Sequence, residues 1–155
     1  LFHEKGFEGN KTDFFDPDNT YFSRVLDKRK GIPITLSALC IFLGRRIGFP
    51  ISGVGLPGRY IAKYDSLTQP IYFDPFDKGR ILSPEDCSSL AEKMGYHFEE
   101  HYLGTATNAE TLVRMMNNLV MTYNKSSQLE KAGHLAEFIK ALSGDPRSNS
   151  PIRPH

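Results

Sequence analysis

A chain of 155 residues, 39% hydrophobic and 12% aromatic, is long enough to bury the core of one folded domain. Its 19 basic and 18 acidic residues leave a formal charge of +1, which removes the electrostatic argument for nucleic acid or an anionic membrane surface as a partner. The most apolar stretch, around residues 39–43, falls far short of the ~20 residues that a membrane-spanning helix needs.

The opening segment is rich in turn formers and aromatics, and Asp16-Pro17-Asp18-Asn19 reads as a turn with Asn19 or Thr20 as the cap of a short helix over residues 21–30, ended by Gly31. The next helix is better defined. Pro33 stands at its threshold, where a missing N–H costs nothing, and Gly48 and Pro50 stop it. Leu36, Leu39, Cys40, Leu43 and Ile47 recur at helical spacing, and the expectation is one apolar stripe facing a sheet.

The pattern then changes to strands at residues 51–56, 59–64 and 71–74. A short polar loop joins the second to the third, so an antiparallel hairpin is expected. Ser83-Pro84-Glu85-Asp86 carries the cap, N1 proline and acidic first turn of a helix start, with Leu90 and Met94 expected inward and Gly95 as its end. Thr107-Asn108-Ala109-Glu110 reads as a capping box ahead of Leu112, Met116, Leu119, Val120 and Tyr123. After a polar turn, Leu129, Ala132, Leu135, Phe138, Ile139 and Leu142 form a last stripe, which makes a helical hairpin. The fold class is therefore α+β: a helix packed on an antiparallel sheet, then helices. The expected division is a core over residues 1–104, a hairpin over 105–144 that looks like one tetratricopeptide unit, and a flexible tail over 145–155.

Four strings carry a resemblance: GFEGNKTDFFDPDNTYFSRVL, KGIPITLSALCIFLGRRIGFP, GVGLPGRYIAKY and YFDPFDKGRILSPEDC. In this order and spacing they resemble the SirB family of transglutaminase-like proteins, whose bacterial members carry tetratricopeptide helices after the core; a related domain occurs in some F-box proteins. The resemblance implies a papain-like or transglutaminase-like core with a Cys at a helix N-terminus, a His from the sheet and an orienting Asp or Asn. In such a triad the helix N-terminus favours the thiolate, the His takes its proton and the carboxylate holds the imidazole.

Carried over position by position, the nucleophile falls on Pro33, which has none; a register two residues later falls on Thr35. The family's usual Pro-Gly-His-Phe is written Pro57-Gly58-Arg59-Tyr60 here, and an arginine stays protonated and cannot act as a base. Asp74, within Tyr72-Phe73-Asp74-Pro75, matches the orienting carboxylate. It reads either as a turn aspartate before a proline or as the ion-pair partner of Arg59. The implied function is a catalytically inert module for protein–protein interaction or scaffolding, with Arg59, Asp74, Thr35 and Tyr72 as the candidate binding residues. The alternatives are an acyl-transfer or protease-type hydrolase using Thr35 or a misplaced cysteine, and a small-molecule binder reusing the old cleft.

The other chemistry-bearing residues have plainer readings. Cys40 on the apolar stripe is a core thiol. Cys87, in the first turn of a helix, is structural for want of a His partner. His97 and His101, beside Glu99 and Glu100, lack a third ligand, and Asn10, Asp13, Asp16 and Asn19 lack the order of a calcium loop. No metal or cofactor is expected. The expected partner is a protein or a flanking domain of the same chain, not nucleic acid or membrane. Two cysteines are too few for a disulfide framework and point to a reducing, cytoplasmic compartment. No secretory leader is visible, and Leu1 in place of Met makes a longer parent protein the expectation, a lost targeting segment included.

Overall fold

A computed structural model describes residues 1–143. The expected tail, and residue 144 at the end of the expected hairpin, lie outside the described residues. The chain opens with a helical turn, α1 (Phe2–Lys5), and a two-residue strand, β1 (Glu8–Gly9). A 3-10 turn over Pro17–Asn19 leads to α2 (Phe22–Lys28), β2 (Lys30–Gly31) and the central helix α3 (Pro33–Arg46). Strands β3 (Ile51–Val54), β4 (Ile61–Tyr64), β5 (Ile71–Asp74) and β6 (Arg80–Leu82) follow, with a 3-10 turn over Pro75–Asp77 between the last two. Then come α4 (Pro84–Lys93), β7 (Thr105–Ala106), α5 (Asn108–Lys125) and α6 (Leu129–Ser143).

The sheet runs β6-β5-β4-β3-β7, antiparallel throughout, and α3 lies against β3 and β4. This is the expected α+β architecture. Four strands were not expected, β1, β2, β6 and β7, because two or three residues are too short for a period to show; Lys30, expected at the end of the helix before α3, is in β2. Thr105–Ala106, at the expected boundary between core and hairpin, pairs with β3. A separate two-residue parallel ladder joins β1 to β2. Among the described residues no helix is long and apolar enough to cross a membrane.

The expected stripe of α3 is corrected. Residues 31–41 are all buried, so the first two turns are enclosed on every side, as a core helix is. Leu36, Leu39 and Cys40 are inside, but Leu43 is exposed and Ile47 is 76% exposed. The reason is that the helix outruns its cover on one face: Leu36 and Leu39 are closed by Phe7, Val25 and Phe76 rather than by the sheet, and that cluster does not reach Leu43 or Ile47, while Gly44 still lies against Ile51 of β3.

Met94, expected inward, is exposed as the C-terminal cap of α4. Leu112, Leu129, Phe138 and Leu142 of the last two stripes are exposed as well, whereas Leu119, Tyr123 and Ala132 are buried where α5 and α6 meet, and Met116 is buried elsewhere on α5. The cap near residue 19 also differs. Asp16 caps the 3-10 turn through the Asp18 N–H, and Tyr21 precedes α2 with no side-chain cap. Asn19 is needed elsewhere.

Buried to 1% exposure, the Asn19 amide donates to the carbonyls of Asp13 and Phe14 and accepts from Asn10 Nδ2 at 2.9 Å. Its own carbonyl accepts the Ile32 N–H. This knot fixes the approach to α3. Asn19→Ala is expected to lower stability by about 2–4 kcal/mol, because it strands several buried polar groups at once. Asn19→Asp should cost a comparable amount, since a carboxylate can accept from Asn10 but cannot donate to two carbonyls. Urea unfolding of the two variants measures both, and a loss within about 0.5 kcal/mol in either would contradict the role.

Candidate functional site

The turn at Pro57-Gly58 brings the chain into β4, with Gly58 at φ +71, a conformation glycine adopts without steric cost. Arg59 lies two residues before Ile61 and so emerges on the same side of the sheet as that residue. The register pairs Ala62 with Phe73. Continued outward, it sets Asp74 opposite Ile61 and Phe76 opposite Arg59.

The side chains follow. Arg59 Nε and Nη2 donate to the same Asp74 oxygen, Oδ2, at 3.0 and 2.8 Å. The guanidinium lies over the Phe76 ring, 4.6 Å from its centroid. The other carboxylate oxygen, Oδ1, accepts the Phe76 N–H at 2.9 Å and caps the 3-10 turn. Both sequence readings of Asp74 thus hold together, one on each oxygen. A fork-to-fork pair across both carboxylate oxygens does not form, because Oδ1 is committed to the turn. The side chain of Asp74 is 3% exposed and that of Arg59 24%, so the pair is shielded on the acid's side and open to water on the base's.

Pro33 is the first residue of α3, and Ile32, the N-cap, supplies no side-chain hydrogen bond. Ile32 and Ile34 pack on Tyr60, which brings the start of the helix to within one residue of Arg59. Pro33, Ile34, Gly58 and Tyr60 share the wall of a cavity of about 450 Å³. The other two candidates point elsewhere. Thr35 is fully buried, and its Oγ1 has no hydrogen-bond partner among the described residues. Tyr72 packs with Val54, Leu82 and Cys87 in the cluster beneath α4. Arg59 and Asp74 therefore meet directly, Pro33 is tied to them only through Tyr60, the chain neighbour of Arg59, and Thr35 and Tyr72 serve the interior.

A nucleophile and its base are both hard to find there. A guanidinium is a donor only and no base. His101 lines the cavity with its Nδ1 3.1 Å from Glu99 and its ring against Tyr102, a contact that leaves Nε2 open, but neither cysteine lines that cavity. Among the described residues no group of metal-ligating side chains assembles. Cys40 lies mid-helix, where burial pushes its thiol up to about 12. Cys87 is pushed up to about 11 by burial first and then by the negative charges of Asp86, Asp74 and Glu85. Its place in the first turn of α4 does not rescue a thiolate, because the acidic residues of that turn oppose it.

Two residues of the site escaped the reading of the sequence. Phe76 is the platform for Arg59, and Gly9 of β1 leaves room for it: a Cβ there would meet the Phe76 ring at 2.5 Å. Tyr60 crosses Gly53 and exchanges a hydrogen bond of 2.6 Å with Thr111 of α5. The only local signals were that Tyr60 follows Arg59 and that Phe76 follows Asp74-Pro75.

A family model described as the transglutaminase-like superfamily matches residues 1–117. The chain belongs to this superfamily. Among similar proteins is a "UPF0162 protein" of Xylella fastidiosa (strain 9a5c), 30% identical over 151 residues, covering 92% of this chain and 53% of that one. A "UPF0162 protein" of Vibrio cholerae is 39% identical over 84 residues, covering 54% of this chain and 31% of that one. "F-box only protein 21" of Homo sapiens is 30% identical over 128 residues, 77% of this chain and 20% of that protein. The chain spans about half the length of the Xylella relatives it matches. No solved structure matches it.

In this transglutaminase-like chain the Arg59–Asp74 pair has a thermodynamic signature. Arg59→Ala leaves a buried carboxylate with one backbone donor and is expected to cost about 2–4 kcal/mol, somewhat under the value for a fully buried pair because Arg59 is partly wet. Asp74→Asn, which leaves no charge uncompensated, should cost less than Arg59→Ala. A urea-unfolding series in which the two orders reverse would contradict the geometry. A second expectation concerns alkali. Thiols raised in the folded state stabilise it fully below their unfolded value near 9, and that contribution is lost as pH climbs toward about 11 for Cys87 and about 12 for Cys40. The decline in melting temperature above pH ~9 should be shallower in Cys87→Ala than in the parent.

Proposed function

We propose that this chain is a SirB-type transglutaminase-like module that binds a protein partner, or flanking segments of its own parent, without performing acyl transfer. The observation that carries the reading is the occupation of the superfamily's base position by Arg59, which is held on Asp74 by two hydrogen bonds and on Phe76 by its flat face. A cationic group so held can neither accept a proton nor leave space for an imidazole. Pro33, at the opening of α3, offers no nucleophile to activate. The similar stretch forms about half of the Xylella relative and one fifth of the F-box relative, which is how a module reused in different settings would look. A cytoplasmic, reducing setting accords with two buried free thiols.

A second reading is favoured by one observation. The cavity of about 450 Å³ at the start of α3 is lined by apolar side chains, with Tyr60, Asn117 and Asn118 among its polar groups, and such a site could hold a small molecule.

The test is a paired assay of amine incorporation into a glutamine-rich protein and of peptide amide hydrolysis. The parent chain and Arg59→His are both expected to be silent, because restoring the base leaves no nucleophile. Pro33→Cys with Arg59→His should be alkylated by iodoacetamide at neutral pH at least about tenfold faster than Pro33→Cys alone, as expected if the imidazole deprotonates the new thiol. Turnover by the parent chain would overturn the reading.

A further inference from the structure

A second cavity, of about 590 Å³, opens between α3, α5 and the β3–β7 edge and is lined by neither Arg59 nor Asp74. Ile41 and Phe42 form one wall, Leu112, Met115 and Leu119 the other, and Phe22 of α2 closes an end. Phe42 and Leu112 are 53% and 47% exposed, and Phe22 meets the Phe42 ring edge-on at 5.3 Å. Large apolar side chains on both lips, with a methionine in the wall that can repack, are what a groove for apolar side chains needs.

The lining of this groove carries one charge, while the Asp65 carboxylate that accepts from the lining Ser52 at 2.7 Å is paired with Lys63 at 3.5 Å. Arg45 is the single charged residue among the described residues that line it. Its Nη2 donates to Asn108 Oδ1 at 3.1 Å, a neutral acceptor, and Arg46 stands exposed beside it in the chain. Neither has a carboxylate partner among the described residues' ion pairs. Arginines here could serve to satisfy the last carbonyls of α3. That duty is already done: Ile47 N–H donates to Leu43 and Gly44, Gly48 N–H to Arg45, and Phe49 N–H to Gly44. The nearest acid of α5, Glu110, has Oε2 bonded to Thr107 and lines the other cavity.

We propose that the groove between α3 and α5 docks a short acidic amphipathic segment of a partner protein. Two or three large apolar side chains enter between Phe42 and Leu112, and a carboxylate lies on Arg45. This rests on the reading of the chain as a protein-binding module and names the surface and the chemistry of its partner. A second copy fits less well. Docking the exposed stripe of α6 into the groove would join unlike surfaces head to tail, a contact that does not close into a dimer.

The probe is a fluorescein-labelled helical peptide of about 14 residues with Leu and Phe at i, i+4 and i+7 and Glu on the remaining face, against a counterpart with Lys in place of Glu. Anisotropy titration of the full chain is expected to give saturable binding of the acidic peptide, at least about tenfold tighter than the basic one and weakened by salt. Arg45→Glu should cut the acidic affinity at least about tenfold and raise that of the basic peptide. Phe42→Ala, an exposed position that the fold can spare, should abolish binding with the melting temperature kept. Equal affinity for both peptides, or binding indifferent to Arg45→Glu and Phe42→Ala, overturns the proposal. Self-association by sedimentation that Phe42→Ala removes assigns the groove to a second copy and overturns it too. Acyl-transfer turnover in a chain that still binds the acidic peptide would sink the preceding reading alone.

Discussion

The burial of α3 is the constraint on which the rest of the structure depends. Residues 31–41 are enclosed without a break, and each fully buried Ile or Leu among them contributes about 1.5–3 kcal/mol. No single layer can surround a helix. The sheet covers it on one side, the N-terminal segment with α2 on another, and α5 on a third, since α3 touches β3, β4, the turn after β5, α2 and α5. The aromatic opening of the chain is thereby explained: Phe7 and, less completely, Phe2 close the cluster around Leu36 and Leu39.

Wrapping the helix this way sets a second problem, the disposal of polar groups brought inside. The Asn10–Asn19 knot handles the approach to α3. Asp74 is harder, because a carboxylate at 3% side-chain exposure cannot rely on water. The fold solves it with three N–H donors, two from Arg59 and one from Phe76, and sets an aromatic ring under the guanidinium. A His at position 59 could have supplied one of these bonds. An arginine supplies two and a fixed charge, which favours rigidity at the cost of any proton transfer.

The helical hairpin is tied into the same structure. Thr111 meets Tyr60, Arg114 donates to the Leu56 carbonyl at 2.7 Å, and the hydroxyl of Tyr123 meets that of Tyr21. These contacts run from one helix to β4, to the turn that aims Arg59 and to the start of α2. The two cavities described border α5, so each opens where the hairpin meets the core.

The sequence by itself determined the element order, the limits of α3, the caps of α4 and α5 and the three central strands, because each depends on local chemistry: an N1 proline, a capping box, an alternating run, a glycine after a helix. The resemblance carried by four strings drew attention to Pro33, Arg59 and Asp74, and the fold joins the last two. Only the tertiary structure decided which faces are covered. The stripe of α3 ran on to Ile47, but helical period says nothing about where the covering cluster ends, and beyond it Ile47 stands in water. The short strands β6 and β7 exist through partners rather than through pattern. The split of Asp74 between its turn and Arg59 was equally out of reach, since it turns on which oxygen faces Phe76 and which faces the guanidinium. Periodicity and capping are properties of neighbours along the chain; cover, charge pairing and cavities depend on segments that meet only when the chain has folded.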